Sequence, residues 1–68
     1  MKDWKITLAA ARVNAGLTQT EAAEKIGVSQ ITISNWETGK TSPKMSIVPI
    51  IADLYKIPVH DLLFALKN

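Results

Sequence analysis

Few side chains in this sequence are equipped for bond-making chemistry. There is one histidine, His60, and no cysteine. A lone imidazole with no second ligand at metal-binding spacing does not hold zinc, and without thiols there is neither a thiolate metal site nor a disulfide framework. Asp53 and Asp61 lack the partners that general acid–base work needs, and no glycine-rich stretch forms a phosphate cradle. No nucleophile stands near His60, which reads as a surface residue. The sequence thus points away from catalysis, a metal or a cofactor. It offers charge placement instead. Eight lysines and arginines against six acids give +2, and the span 38–52 holds Lys40 and Lys44 with no acid. By itself that span also fits solvated lysines around a turn.

With 68 residues, 47% hydrophobic and 21% charged, one small domain is expected, in which nearly every apolar side chain serves the core. A deep cavity for a small-molecule ligand is not expected. The apolar stretches 47–52, interrupted by Pro49, and 62–66 fall far short of the roughly 18 residues of a membrane span. The run 8–11 is closed by Arg12 and is too short for the core of a signal peptide. These features, with the absence of cysteine, predict a soluble protein of the reducing cytosol with no membrane partner.

The chemistry-bearing residues must be carried by short helices, because turn signals recur every eight to fifteen residues and no repeat or linker interrupts them. Thr7 predicts the first N-cap, with Ile6 and Ala11 as a hydrophobic staple and Gly16 as the stop, giving a helix over 8–15. Leu8, Ala11 and Ala15 form its buried stripe, with Arg12 beside it. Trp4 is expected to cover the core from outside this helix, a dimer contact being the alternative. Thr18 and Glu21 make a capping-box pattern and Gly27 a stop, so a second helix spans 19–26 with Ala22, Ala23 and Ile26 inward. Ser29 caps a third helix over 30–38 with Ile33 and Trp36 inward.

Two elements carry internal conflicts. The segment 29–34, SQITIS, alternates like a half-buried strand. Its capping serine, the glycine at 39 and the lack of any second strand favour a helix. In the fourth helix Val48, Ile51, Ala52 and Tyr55 form a buried stripe, yet Pro49 lies among them. An N-cap at Ser46 places Pro49 in the first turn, where its missing N–H breaks no bond. Pro58 opens a fifth helix over 59–66, with Asp61 near its positive end and Val59, Leu62, Leu63 and Leu66 for burial. Lys67 and Asn68 are expected to fray. The domain is therefore all-α.

Two short helices around a tight turn at Gly27 meet the physical requirement for a helix-turn-helix. Counting Gln19 as position 1, small or apolar residues fall at 4, 5, 8, 10, 15 and 18, with glycine at 9. The stretch TQTEAAEKIGVSQITISNWETGKTSP, residues 18–43, resembles the Cro/C1-type helix-turn-helix family of phage repressors and bacterial regulators. AARVNAGLTQ (10–19) and PIIADLYKIPVHDLLF (49–64) extend the resemblance over nearly the whole chain, in the flavour of small Firmicutes phage proteins. It implies a compact bundle of about five helices, lambda-repressor-like, with the motif at about 18–38 of a single domain 1–68. It also implies binding to double-stranded operator DNA, commonly as a homodimer.

On that resemblance the third helix is the recognition helix, and Gln30, Ile31, Thr32, Ser34 and Asn35 face base edges. Gln30 and Asn35 can each pair with adenine N6 and N7, and Ile31 and the Thr32 methyl can pack on a thymine methyl, which points to A·T-containing half-sites. The plainer reading is of solvent-facing polar residues, against which an exposed Ile31 tells. Gln19 and Ser29, at the starts of the two helices, are phosphate-binding candidates, alongside simple N-terminal capping. Lys40, Thr41 and Ser42 match the family's backbone-contacting loop, with Lys44 weaker. The resemblance also implies a buried, architectural ion pair between Arg12 and Glu37, the alternative being two exposed charges.

The function expected is that of a sequence-specific transcriptional regulator, Cro- or repressor-like, acting by occupying an operator and excluding polymerase or a competing repressor. The rival is a protein-interaction module, such as an antirepressor, that reuses the fold without touching DNA. Such a module has no reason to keep Gln30, Thr32, Ser34 and Asn35 outward. Leu63, Phe64 and Leu66 either complete the core or make a two-fold contact.

Overall fold

The computed structural model describes residues 6–66, so the expectations for Trp4, Lys67 and Asn68 lie outside the described residues. Five α-helices follow one another: α1 (Leu8–Asn14), α2 (Gln19–Ile26), α3 (Gln30–Glu37), α4 (Val48–Tyr55) and α5 (Val59–Leu66). No strand occurs among the described residues. α2 packs on α3 and α4 on α5, while α1 touches α3, α4 and α5.

Local chemistry starts and stops each helix. The Thr7 hydroxyl accepts the Ala10 N–H at 3.0 Å. α1 closes one residue sooner than expected, with Ala15 as its C-cap and half-buried. At α2 both halves of the capping box form: Glu21 N–H donates to Thr18 Oγ1 at 3.0 Å and Thr18 N–H to Glu21 Oε1 at 2.9 Å. Gly27 then takes φ 93°, ψ 31°. A Cβ there would meet no atom within 4 Å, so glycine is favoured for its backbone freedom and not for space. Ser29 caps α3, and the strand-like alternation of 29–34 yields to the helix. Ile33 and Trp36 go into the core while Ile31 is left 67% exposed.

The start of α4 departs from the sequence reading. Its N-cap is Ile47, with no side-chain cap, and Ser46 sits exposed in the turn before it. That turn already supplies acceptors: the Lys44 carbonyl takes the Ile47 N–H at 2.9 Å and the Val48 N–H at 3.3 Å. The backbone thus does what a serine hydroxyl was expected to do. Pro49 is still in the first turn, where its missing N–H costs no bond. At the other end Lys56 adopts φ 59°, a conformation costing about 1 kcal/mol or more for a residue with a Cβ. The Ile57 N–H closing on the Ala52 carbonyl at 3.1 Å and Ile57 packing against the core hold it there.

The core joins Leu8 and Ala11 of α1, Ala22 and Ala23 of α2, Ile33 and Trp36 of α3, Val48, Ile51, Ala52 and Tyr55 of α4, and Leu62 of α5. Val59, expected to be buried, is 41% exposed, because Leu62 fills the position where α5 meets the core. Leu63 and Leu66 pack at its edge, and Phe64 is 45% exposed.

A largely buried ion pair crosses this apolar assembly. Arg12 Nε lies 2.6 Å from Glu37 Oε2 and Nη2 lies 3.3 Å from Oε1, while Nη1 donates to the Leu17 carbonyl at 2.7 Å. The two side chains are 13% and 6% exposed. Hydrogen bonding to Glu37 raises the Arg12 pKa, against the opposing effect of burial. Tyr55 lies close enough for its phenol to be pushed up to about 12, first by burial and then by the Glu37 charge, with Arg12 opposing.

Two stability measurements follow. Replacing Arg12 by Ala leaves Glu37 without its counter-charge and should cost on the order of 3 kcal/mol. A denaturation double-mutant cycle with Glu37→Ala should show coupling above about 1 kcal/mol, and additive single effects would contradict it. The unfolded phenol of Tyr55 ionises near pH 10 and the folded one near 12. The stabilisation linked to this shift is therefore complete below pH 10 and lost as pH rises towards 12. Relative to Tyr55→Phe, the parent chain should lose about 2 kcal/mol over that window, whereas parallel profiles would exclude it.

Candidate nucleic-acid interface

The turn between α2 and α3 is short because Gly27 reverses the chain at once: its N–H and that of Val28 both donate to the Ala23 carbonyl, at 2.8 and 3.0 Å. Ala22 and Ala23, at 0% and 4% exposure, let the two helices approach closely. The inward anchors of α3 are Ile33 and Trp36. Its opposite side carries exposed Gln30 and Ile31, with Thr32, Ser34 and Asn35 half-buried beside them.

The loop after α3 is tied to the helix it follows. The Asn35 carbonyl accepts the N–H of Lys40 at 2.9 Å and of Thr41 at 3.3 Å, and the Thr38 hydroxyl donates to the Ser34 carbonyl at 3.1 Å. Lys40, Thr41 and Ser42 are all exposed, as is Lys44. Side chains of this kind next to the outward side of α3 suit a polyanion: the ammonium supplies charge and the hydroxyls supply donors. At Ser29 the hydroxyl is already engaged, accepting the Thr32 N–H at 3.1 Å and lying 2.9 Å from Thr32 Oγ1.

Gln19, a phosphate-binding or capping candidate in the sequence, has its side chain engaged within the protein. Its Nε2 donates to Glu37 Oε1 at 2.9 Å, and its Oε1 accepts from Gln30 Nε2. The carboxamide therefore bridges the ion pair to the first residue of α3. The backbone N–H groups of Gln19 and Thr20, first in α2, have no acceptor within the helix and lie at its positive end. Sequence reasoning missed the bridge. The available signal was that both glutamines occupy the position directly after an N-cap, in helices that must cross closely.

The residues weighed for catalysis lie on other helices than this cluster. His60 and Asp61 are exposed at the start of α5, and Asp53 is exposed on α4. Among the described residues no three His, Cys, Asp or Glu side chains gather where a metal could sit, and no helix is long and apolar enough to cross a membrane.

Comparison with known proteins bears on the same region. A helix-turn-helix family model matches residues 8–62, from the first residue of α1 into α5. The chain is 36% identical over 52 residues to the HTH-type transcriptional activator BcrR of Enterococcus faecalis, covering 76% of this chain and 26% of that protein. It is 39% identical over 51 residues to the cryptic phage CTXphi transcriptional repressor RstR of Vibrio cholerae, covering 75% of this chain and 46% of that protein. The chain thus spans less than half the length of either relative. No solved structure gives a significant match. With the match running through every element that builds the motif, from the α1 stripe to Leu62, the chain belongs to the Cro/C1-type helix-turn-helix family.

Proposed function

We propose that this chain is a sequence-specific, double-stranded DNA-binding regulator of transcription. In this reading α3 lies in the major groove, with Gln30, Ile31, Thr32, Ser34 and Asn35 towards base edges. The observation that carries the reading is Ile31. A large apolar side chain left 67% exposed amid amides and hydroxyls suits a surface that closes over thymine methyls and base edges. Lys40, Thr41, Ser42 and the N-terminal backbone donors of α2 take the phosphates, with Gln19 and Ser29 beside them. Arg12 and Glu37 hold the scaffold and touch no DNA.

Two copies bound as a homodimer would read half-sites about 10 base pairs apart, or a multiple of that. The mode of action is operator occupancy, as in Cro- or repressor-like proteins. By their names the two relatives are an activator and a repressor, and the reading requires only that the site be occupied.

Affinity for a duplex selected from a random pool should fall by roughly tenfold or more between 50 and 200 mM salt. Lys40→Ala should weaken all sequences alike and flatten that dependence, whereas Gln30→Ala should cost about 1–3 kcal/mol and relax preference at a single base pair. Binding that ignores salt, or a pool that returns no preferred sequence, would overturn the proposal in favour of a protein-interaction module.

A further inference from the structure

The loop that carries Lys40, Thr41 and Ser42 hangs from the last turn of α3. Thr38 is the C-cap, at φ −92°, ψ −2°, and Gly39 reverses the chain at φ 82°, a left-handed conformation that suits glycine. The reversal brings the N–H groups of Lys40 and Thr41 onto the Asn35 carbonyl, at 2.9 and 3.3 Å. Pro43 is buried and pins the far end. Between those ends Gly39, Thr41 and Ser42 border a groove of about 270 Å³, across from Leu8 and Leu66. Core packing therefore does not place this part of the loop, which leaves that task to its hydrogen bonds to α3.

The Thr38 side chain enters that anchorage. Its hydroxyl has one hydrogen, shared between the Ser34 carbonyl at 3.1 Å and the Asn35 carbonyl at 3.3 Å. The Ser34 carbonyl also takes the Thr38 N–H at 3.0 Å and so closes the final turn, while the Asn35 carbonyl is the one that holds the loop. Both oxygens stand at a helix end, where the partners of a continuing helix are missing and turns fray.

We infer that Thr38 is a positioning residue for phosphate binding: its hydroxyl secures the last turn of α3 and, through the Asn35 carbonyl, fixes where Lys40, Thr41 and Ser42 stand relative to that helix. The inference rests on the proposed major-groove reading. Phosphate contacts set the register of a protein on its duplex, so the spacing between this loop and the outward side of α3 decides whether base and phosphate contacts form together. Ser34 and Asn35 serve both ends of that spacing, offering side chains to base edges and carbonyls to the anchorage. A loosened loop keeps its charge but must be ordered on binding, which costs affinity. Thr38 exerts this effect without touching DNA.

The test uses Thr38→Val, which keeps the branched shape and removes the hydroxyl at an exposed position. Thr38→Ser, which retains the hydroxyl, is the rescue variant. Affinity for a selected duplex should fall roughly threefold to tenfold in Thr38→Val and stay within about twofold of the parent in Thr38→Ser. The salt dependence should keep the parent slope, because no charge is removed. Parent-level affinity in Thr38→Val would overturn the inference.

Backbone 15N relaxation of the free protein separates positioning from direct contact. The order parameters of the Lys40 and Thr41 amides should drop from about 0.85 towards about 0.6 in Thr38→Val, with the Ile51 amide in α4 unchanged. An affinity loss with loop order unaltered would give the hydroxyl a phosphate of its own and overturn the inference. A parent chain that binds no duplex, with loop order still dependent on Thr38, would overturn the DNA reading and the phosphate role with it, and leave the anchorage standing.

Discussion

The position of α3 depends on one guanidinium. Arg12 directs three nitrogens at partners on two segments: two at Glu37, the last residue of α3, and one at the Leu17 carbonyl, in the connection to α2. A fork of this geometry has little freedom to rotate. It fixes how α1 crosses the end of α3 and where α2 begins. A pair this buried recovers little more than its own desolvation, so its main contribution is to geometry and not to net stability. The apolar side chains around it supply the driving force.

The core shows how a chain with so few residues holds a helix outward. Four buried alanines, Ala11, Ala22, Ala23 and Ala52, bring helix axes close enough for Ile33 and Trp36 to anchor α3 from one side. The other side then needs no apolar residues for folding, and its composition is free to meet a ligand. Val48, Ile51 and Tyr55 back the arrangement from α4. Buried Tyr55 extends the polar centre into the core, which is why its phenol feels both Glu37 and Arg12.

Much of this was legible in the sequence where the signal was local. Thr18 and Glu21 mark their helix start through side-chain geometry that reaches only three residues, and Gly27 marks the stop through its lack of a Cβ. Ser29 outweighed the alternation of Ile31 and Ile33 because an isolated strand has no partner for its hydrogen bonds. The misplaced cap at Ser46 shows the limit of that logic. A preceding backbone turn can satisfy helix donors, and nothing in residue type announces it. Val59 was assigned to the core from spacing alone, although a short helix meeting the core at one point buries only Leu62 fully. Contacts such as Gln19 to Gln30 depend on how two helices cross, information that resides in packing and not in either helix.

The proposed reading stands on what α3 touches. The most direct measurement is a titration of the protein with a selected duplex, followed by backbone amide chemical-shift mapping. The account predicts the largest changes at 30–35, 40–42 and the first residues of α2, with α5 nearly silent. Changes concentrated on α4 and α5, with α3 unmoved, would contradict it.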